Sequence, residues 1–85
     1  NYPNPFNPTT RINYDMSNNG NALIKIIDLK GNQVRTLVDD YVQMGPQFIV
    51  WDARNHNGEK VPAGIYFYTL KVNDFLQTQK MVLLK

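Results

Sequence analysis

Apolar side chains recur at every second position along this chain, in short runs that glycine, asparagine or aspartate soon cut off. A run of that kind has one buried and one exposed face only when extended, and no stretch carries the 3.6-residue period of an amphipathic helix. RINYDM sets Ile12 and Tyr14 against Arg11, Asn13 and Asp15, and ALIKIID aligns Ala22, Ile24 and Ile26. Between these two runs SNNGN supplies turn formers, with Gly20 able to take a positive φ. DLKGNQ predicts a tight connection with Gly31 in a left-handed position. In the third run, VRTLV, Val34 and Leu37 break strict alternation, which predicts a β-bulge.

DDYVQMGPQ reads as a crossing loop, followed by the strand FIVWD with Ile49 and Trp51 on one face and Phe48 and Val50 on the other. Both faces are apolar, so the outer one calls for a cover. ARNHNGEKVPAG is polar with a turn centre at Asn57 and Gly58, and it leaves room for one short strand around Lys60 and Val61 before Gly64. IYFYTLKV aligns Tyr66, Tyr68, Leu70 and Val72, Asn73 and Asp74 form a hairpin turn, and FLQTQKMVLLK returns with Met81 and Leu83 opposite Lys80, Val82 and Leu84. Short strands with turn signals at this spacing predict an all-β, immunoglobulin-like sandwich of about seven antiparallel strands. Its expected core is Ile12, Tyr14, Ile24, Ile26, Ile49, Trp51, Tyr66, Leu70, Met81 and Leu83, with Trp51 packed between the sheets.

The 85 residues, 42% hydrophobic and 19% charged, suit a single folded module. No apolar stretch approaches the roughly 20 residues of a membrane span. With no cysteine, disulfides, Cys-zinc sites and thiol chemistry are excluded. The net charge is +2, and lysines and arginines are scattered singly, which argues against nucleic acid as a partner. Without a signal peptide or an initiating methionine, the sequence reads as a mature fragment or the tail of a longer polypeptide, with export open to it.

The opening NYPNPFNPTT can be neither an interior helix nor a central strand, because Pro3, Pro5 and Pro8 remove backbone donors and fix φ. Residues 1–9 are therefore expected to form a stiff linker ahead of a domain over residues 10–85, with Phe6 plugging one end of the core.

Catalytic chemistry finds little footing. The single histidine, His56, and the single serine, Ser17, sit in different turns. The carboxylates Asp15, Asp28, Asp39, Asp40, Asp52, Glu59 and Asp74 fall at strand ends or in turns, where such side chains bond their own backbone. DARNHNGEK places oxygen ligands at alternate positions ahead of Gly58, as a calcium loop does, but Ala53 occupies the first ligand position and Asp52 is out of register. The expectation is no enzyme, no cofactor and no metal.

Taken together, NYPNPFNPTTRINY, IKIIDLKGNQVRTL, GPQFIVWDARNHNGEKVPAGIYFYTL and QKMVLLK resemble the type A C-terminal sorting domain of type IX secretion, which is similar to the immunoglobulin-like domain of the flagellar hook-capping protein. The resemblance covers essentially the whole chain, in family order. Ala53 stands where the family usually has glycine, and Ala63 where it often has serine. The resemblance implies a module that ends an exported protein and is recognised in the periplasm by the type IX machinery. It would carry an upstream cargo in the same polypeptide to the cell surface or medium. It implies working residues at Pro3, Asn4, Pro5, Phe6 and Pro8, at Gly31, Gly58, Gly64 and Tyr66, and at Lys80, Met81, Val82, Leu83, Leu84 and Lys85.

Two other readings remain open. One is a structural domain of an extracellular filament or surface layer, self-associating through its proline-rich arm and an apolar face of Phe48 and Val50 with Val82 and Leu84. The other is an accessory module binding carbohydrate or protein.

Overall fold

Six antiparallel strands form two facing layers in the computed structural model, which describes residues 9–84. They are β1 (Thr10–Met16), β2 (Gly20–Asp28), β3 (Gln33–Val42), β4 (Gly45–Trp51), β5 (Gly64–Val72) and β6 (Phe75–Leu83). β1 and β4 pair as one layer, and the other has the order β3-β2-β5-β6. The architecture is the expected all-β sandwich, with six strands instead of seven. The stretch around Lys60 and Val61 gives only an isolated bridge from Lys60 to Arg54. The proline-rich linker and the Phe6 plug lie outside the described residues, as does Lys85.

Alternation builds the core. Ile12, Ile24, Ile26, Trp51 and Met81 are fully buried, and Tyr14, Tyr66, Leu70 and Leu83 lie among them as expected. Ile49 is only half-buried at the margin, while Thr10, Met16, Ala22, Val34, Ala53, Val61 and Tyr68 complete the interior. Each large apolar side chain so enclosed contributes about 1.5–3 kcal/mol.

The bulges in β3 fall where alternation fails. Ile24 pairs with Val38 and Lys25 with Thr36, so Leu37 is an extra residue; Ile26 pairs with Arg35 and Ile27 with Gln33, so Val34 is another. The expected crossing loop is smaller than DDYVQMGPQ. Asp39 and Asp40 pair with Leu23 and Ala22 inside β3, and β4 already begins at Gly45, leaving Gln43 and Met44 to cross between layers. The Met44 amide donates to Asn19 Oδ1 at 2.6 Å, pinning the crossing to the β1–β2 turn. Gly20 does not take a positive φ; a Cβ there would lie 2.8 Å from Asn73 Oδ1, so the Asn73 side chain would have to move aside.

The register of β2 sorts the connections into two ends. The hairpin end, where Gly20 pairs with Val42 and Ala22 with Val72, holds Ser17–Asn19, the crossing and the Asn73–Asp74 turn. The loop end, where Asp28 pairs with Tyr66 and Gly64 with Leu83, holds the longer connections. Thr10 pairs with Trp51, so β1 also starts there.

Phe48 and Val50 face outward from the two-stranded layer, where the Arg11 guanidinium stacks over the Phe48 ring at 3.9 Å. That cation–π contact supplies part of the cover the sequence called for. Val82 and Leu84 belong to the opposite layer, so the four residues do not form one apolar face.

Candidate functional site

Two loops at the loop end share one design. In Asp28-Leu29-Lys30-Gly31-Asn32, Asp28 N donates to Asn32 O at 2.9 Å and Gly31 N to Asp28 O at 3.0 Å, while Asp28 Oδ1 accepts the amides of Lys30 and Asn32, each at 2.9 Å. In Asn55-His56-Asn57-Gly58-Glu59, Asn55 N donates to Glu59 O at 2.9 Å and Gly58 N to Asn55 O at 3.0 Å. There Asn55 Oδ1 accepts the amides of Asn57 and Glu59, each at 3.0 Å. The glycine closing each loop has φ of 88° or 84°, the left-handed geometry of a three-residue hairpin connection. Asn55 Oδ1, the oxygen a calcium reading would use, is therefore engaged by two backbone donors.

The bulge joins the loops. Its extra residue Val34 offers a carbonyl to which His56 N donates at 3.2 Å, with His56 Nδ1 at 3.4 Å from the same oxygen. Arg54 Nη1 donates to Gly58 O at 2.7 Å, Arg54 N to Asp52 Oδ1 at 3.2 Å, and Arg35 pairs with Asp52 at 2.6 Å. Trp51 Nε1 donates to Arg54 O at 2.9 Å, so the core tryptophan holds the start of the second loop.

Tyr66 ties this end to the core. Its ring meets Trp51 edge to face with centroids 5.4 Å apart, and its hydroxyl donates to Pro62 O at 2.6 Å, four residues upstream, in the manner of a tyrosine corner. Burial pushes the Tyr66 hydroxyl above its usual pKa, and the nearby Asp28 carboxylate adds to the rise. The Asn32 amide, ahead of the other donors of its loop, holds the Asp28 carboxyl below the usual carboxylate range. Both shifts point away from neutrality, so Asp28 stays charged and Tyr66 neutral at physiological pH. Ser17 and His56 lie at opposite ends of β2. Among the described residues, no three of His, Cys, Asp and Glu gather where they could hold a metal ion.

The fold brings Gly31, Gly58, Gly64, Tyr66 and the stretch from Met81 to Leu84 to the loop end. Met81 pairs with Tyr66 and Leu83 with Gly64, both side chains buried, while Lys80, one pair further along β6, is exposed. Pro3, Asn4, Pro5, Phe6, Pro8 and Lys85 lie outside the described residues. Asp28 bonds the backbone of its own turn, as expected of the turn carboxylates, whereas sequence reasoning missed Asn55 as the organiser of the second loop. The signal was present, because Asn55 in NHNGE, like Asp28 in DLKGN, stands three residues ahead of a glycine.

The sequence matches the FlgD Ig-like domain over residues 6–74. The chain belongs to that family. Among solved structures, dimeric latent PorU from Porphyromonas gingivalis is similar with a TM-score of 0.78 and 23% identity over 98% of this chain. PorZ, an essential bacterial surface component of the type IX secretion system of the same organism, is similar with a TM-score of 0.65 and 18% identity over 99% of it. The chain spans 9% of the PorU chain and 11% of the PorZ chain, so the likeness is that of a domain. Comparison with curated proteins finds no match. Within this FlgD Ig-like domain, Ala53 has φ 60°, a left-handed position that glycine adopts at lower cost.

Proposed function

We propose that this FlgD Ig-like domain is a non-catalytic C-terminal sorting module that directs an upstream cargo in the same polypeptide across the outer membrane by type IX secretion. The observation that carries the reading is its likeness in fold to PorZ, a surface component of that system. The route runs through the periplasm to the cell surface or medium, and the partners are the cargo and the secretion machinery. Any catalytic activity belongs to the cargo.

The gathering of Gly31, Gly58, Gly64 and the end of β6 at the loop end, braced from within by the buried Tyr66, supports a surface read as a unit. Along the last strand Met81 and Leu83 anchor in the core, while Lys80, Val82 and Leu84 point the other way. A reader of extended chains uses such an outward row for specificity.

The test is a fusion of a periplasmic signal peptide and a fluorescent reporter ahead of residues 1–85, followed in hosts with working or inactivated type IX machinery. Export that needs the machinery, and that Lys80→Ser with Leu84→Ser abolishes while circular dichroism is unchanged, is the expected result. A folded fusion retained in the periplasm of both hosts overturns it.

A further inference from the structure

We propose that the domain associates head to tail with copies of itself, the hairpin end of one molecule seated on the loop end of the next. The strand register separates charge that is mixed along the sequence. At the hairpin end Asp15, Asp39, Asp40 and Asp74 stand against Lys71 alone among the described residues, and Lys25 lies midway along β2 between the two ends. At the loop end Arg11, Lys30, Arg35, Arg54, Lys60 and Lys80 outnumber Asp28, Asp52 and Glu59. One end is acidic and the other basic, along a molecule of 37 × 23 × 20 Å.

Both ends also present apolar side chains to solvent. Tyr41, Met44, Phe75 and Leu76, each more than half exposed, crowd the acidic end, and Leu29 and Leu84 stand at the basic one. Two acidic ends repel each other, as do two basic ends, so a two-fold pairing of like ends is disfavoured. The contact that satisfies charge and apolar surface together joins unlike ends, which is a heterologous interface. Because the ends lie opposite one another along the strands, it repeats into open chains.

The contact is confined to one narrow end of each molecule and rests on charge, so association is weak and sensitive to salt. This proposal stands apart from the sorting reading. It uses the charged ends, not an apolar sheet face, and needs no secretion machinery.

The experiment is sedimentation of the purified chain at rising concentration, at about 0.01 M salt, where the Debye length is about 30 Å, and at about 1 M, where it is about 3 Å. The weight-average mass is expected to at least double at low salt and to return to that of the monomer at high salt. Asp39→Lys with Asp40→Lys makes both ends basic, and Lys30→Glu with Lys60→Glu makes both acidic. Each variant alone is expected to stay monomeric, and their mixture to associate. A wild type that remains monomeric at low salt overturns the proposal, as does self-association of either folded variant at the wild-type level.

Discussion

Tyr66 hydrogen-bonds to the strand's own approach segment through its hydroxyl, while its ring braces Trp51. Tyr66→Phe keeps the ring contact and leaves Pro62 O without that donor. The expected loss is about 0.5–1.5 kcal/mol, read by chemical denaturation. At Asp28 the prediction concerns pH. A carboxyl pKa lowered in the folded loop stabilises the domain fully above the ordinary aspartate pKa of about 4, and that contribution disappears as pH falls through the lowered value. The sister loop manages with Asn55 in the same place, so Asp28→Asn is expected to fold at pH 7 and to lose less thermal stability than wild type between pH 5 and pH 2. Melting curves across that range check it. An acid sensitivity equal to wild type would show that the loop does not favour the charged carboxylate.

At the scale of the element, equal loops predict equal penalties. A Cβ at Gly31 or Gly58 would meet nothing within 4 Å, so the cost of alanine is conformational alone. The left-handed position costs an L-residue about 1–2 kcal/mol, partly offset by the lower entropy of the unfolded chain, which leaves about 1 kcal/mol at each site. Denaturation midpoints of Gly31→Ala and Gly58→Ala that differ widely would break the equivalence. These elements also mark how far the sequence could be read. The β3 bulges were legible because Val34 and Leu37 violate a two-residue period, and the DLKGNQ turn because Gly31 has a single geometric use. The strand around Lys60 and Val61 shrinks to one bridge because its ladder stops at both sides. Asn55 N to Glu59 O and Val61 N to Ala53 O, each 2.9 Å, are the two bonds of the Arg54–Lys60 bridge; beyond them Ala53 has a left-handed φ of 60° and Pro62 has no amide to donate. Asp39 and Asp40 looked like loop residues by composition, yet an edge strand tolerates them because their side chains face water while Leu23 and Ala22 supply the pairing.

For the whole molecule, the separation of charge could not be read along the chain. A net charge of +2 with single scattered cations signals nothing until strand register places each group at one end or the other. The gathering of Gly31, Gly58 and Gly64 at the loop end was hidden for the same reason, since they belong to three separate connections. The last strand carries the final prediction. Met81 is fully buried, so Met81→Ala is expected to cost about 2–5 kcal/mol, a large part of the margin of a small domain. Deleting residues 80–85 takes Leu83 as well and is expected to abolish the cooperative thermal transition, seen by circular dichroism.

The placement of Leu83 beside Gly64 also decides how the domain yields to force. A pull on Leu83 in the plane of the sheet and at right angles to the strands acts first on the Gly64–Leu83 pair and then opens the β5–β6 ladder one pair at a time toward Val72 and Phe75. The ladder gives way like a zipper, with its hydrogen bonds loaded in series, not like a lap joint that shares the load. A pull in that direction therefore meets a small, stepwise resistance, whereas heat must disrupt the whole sandwich together.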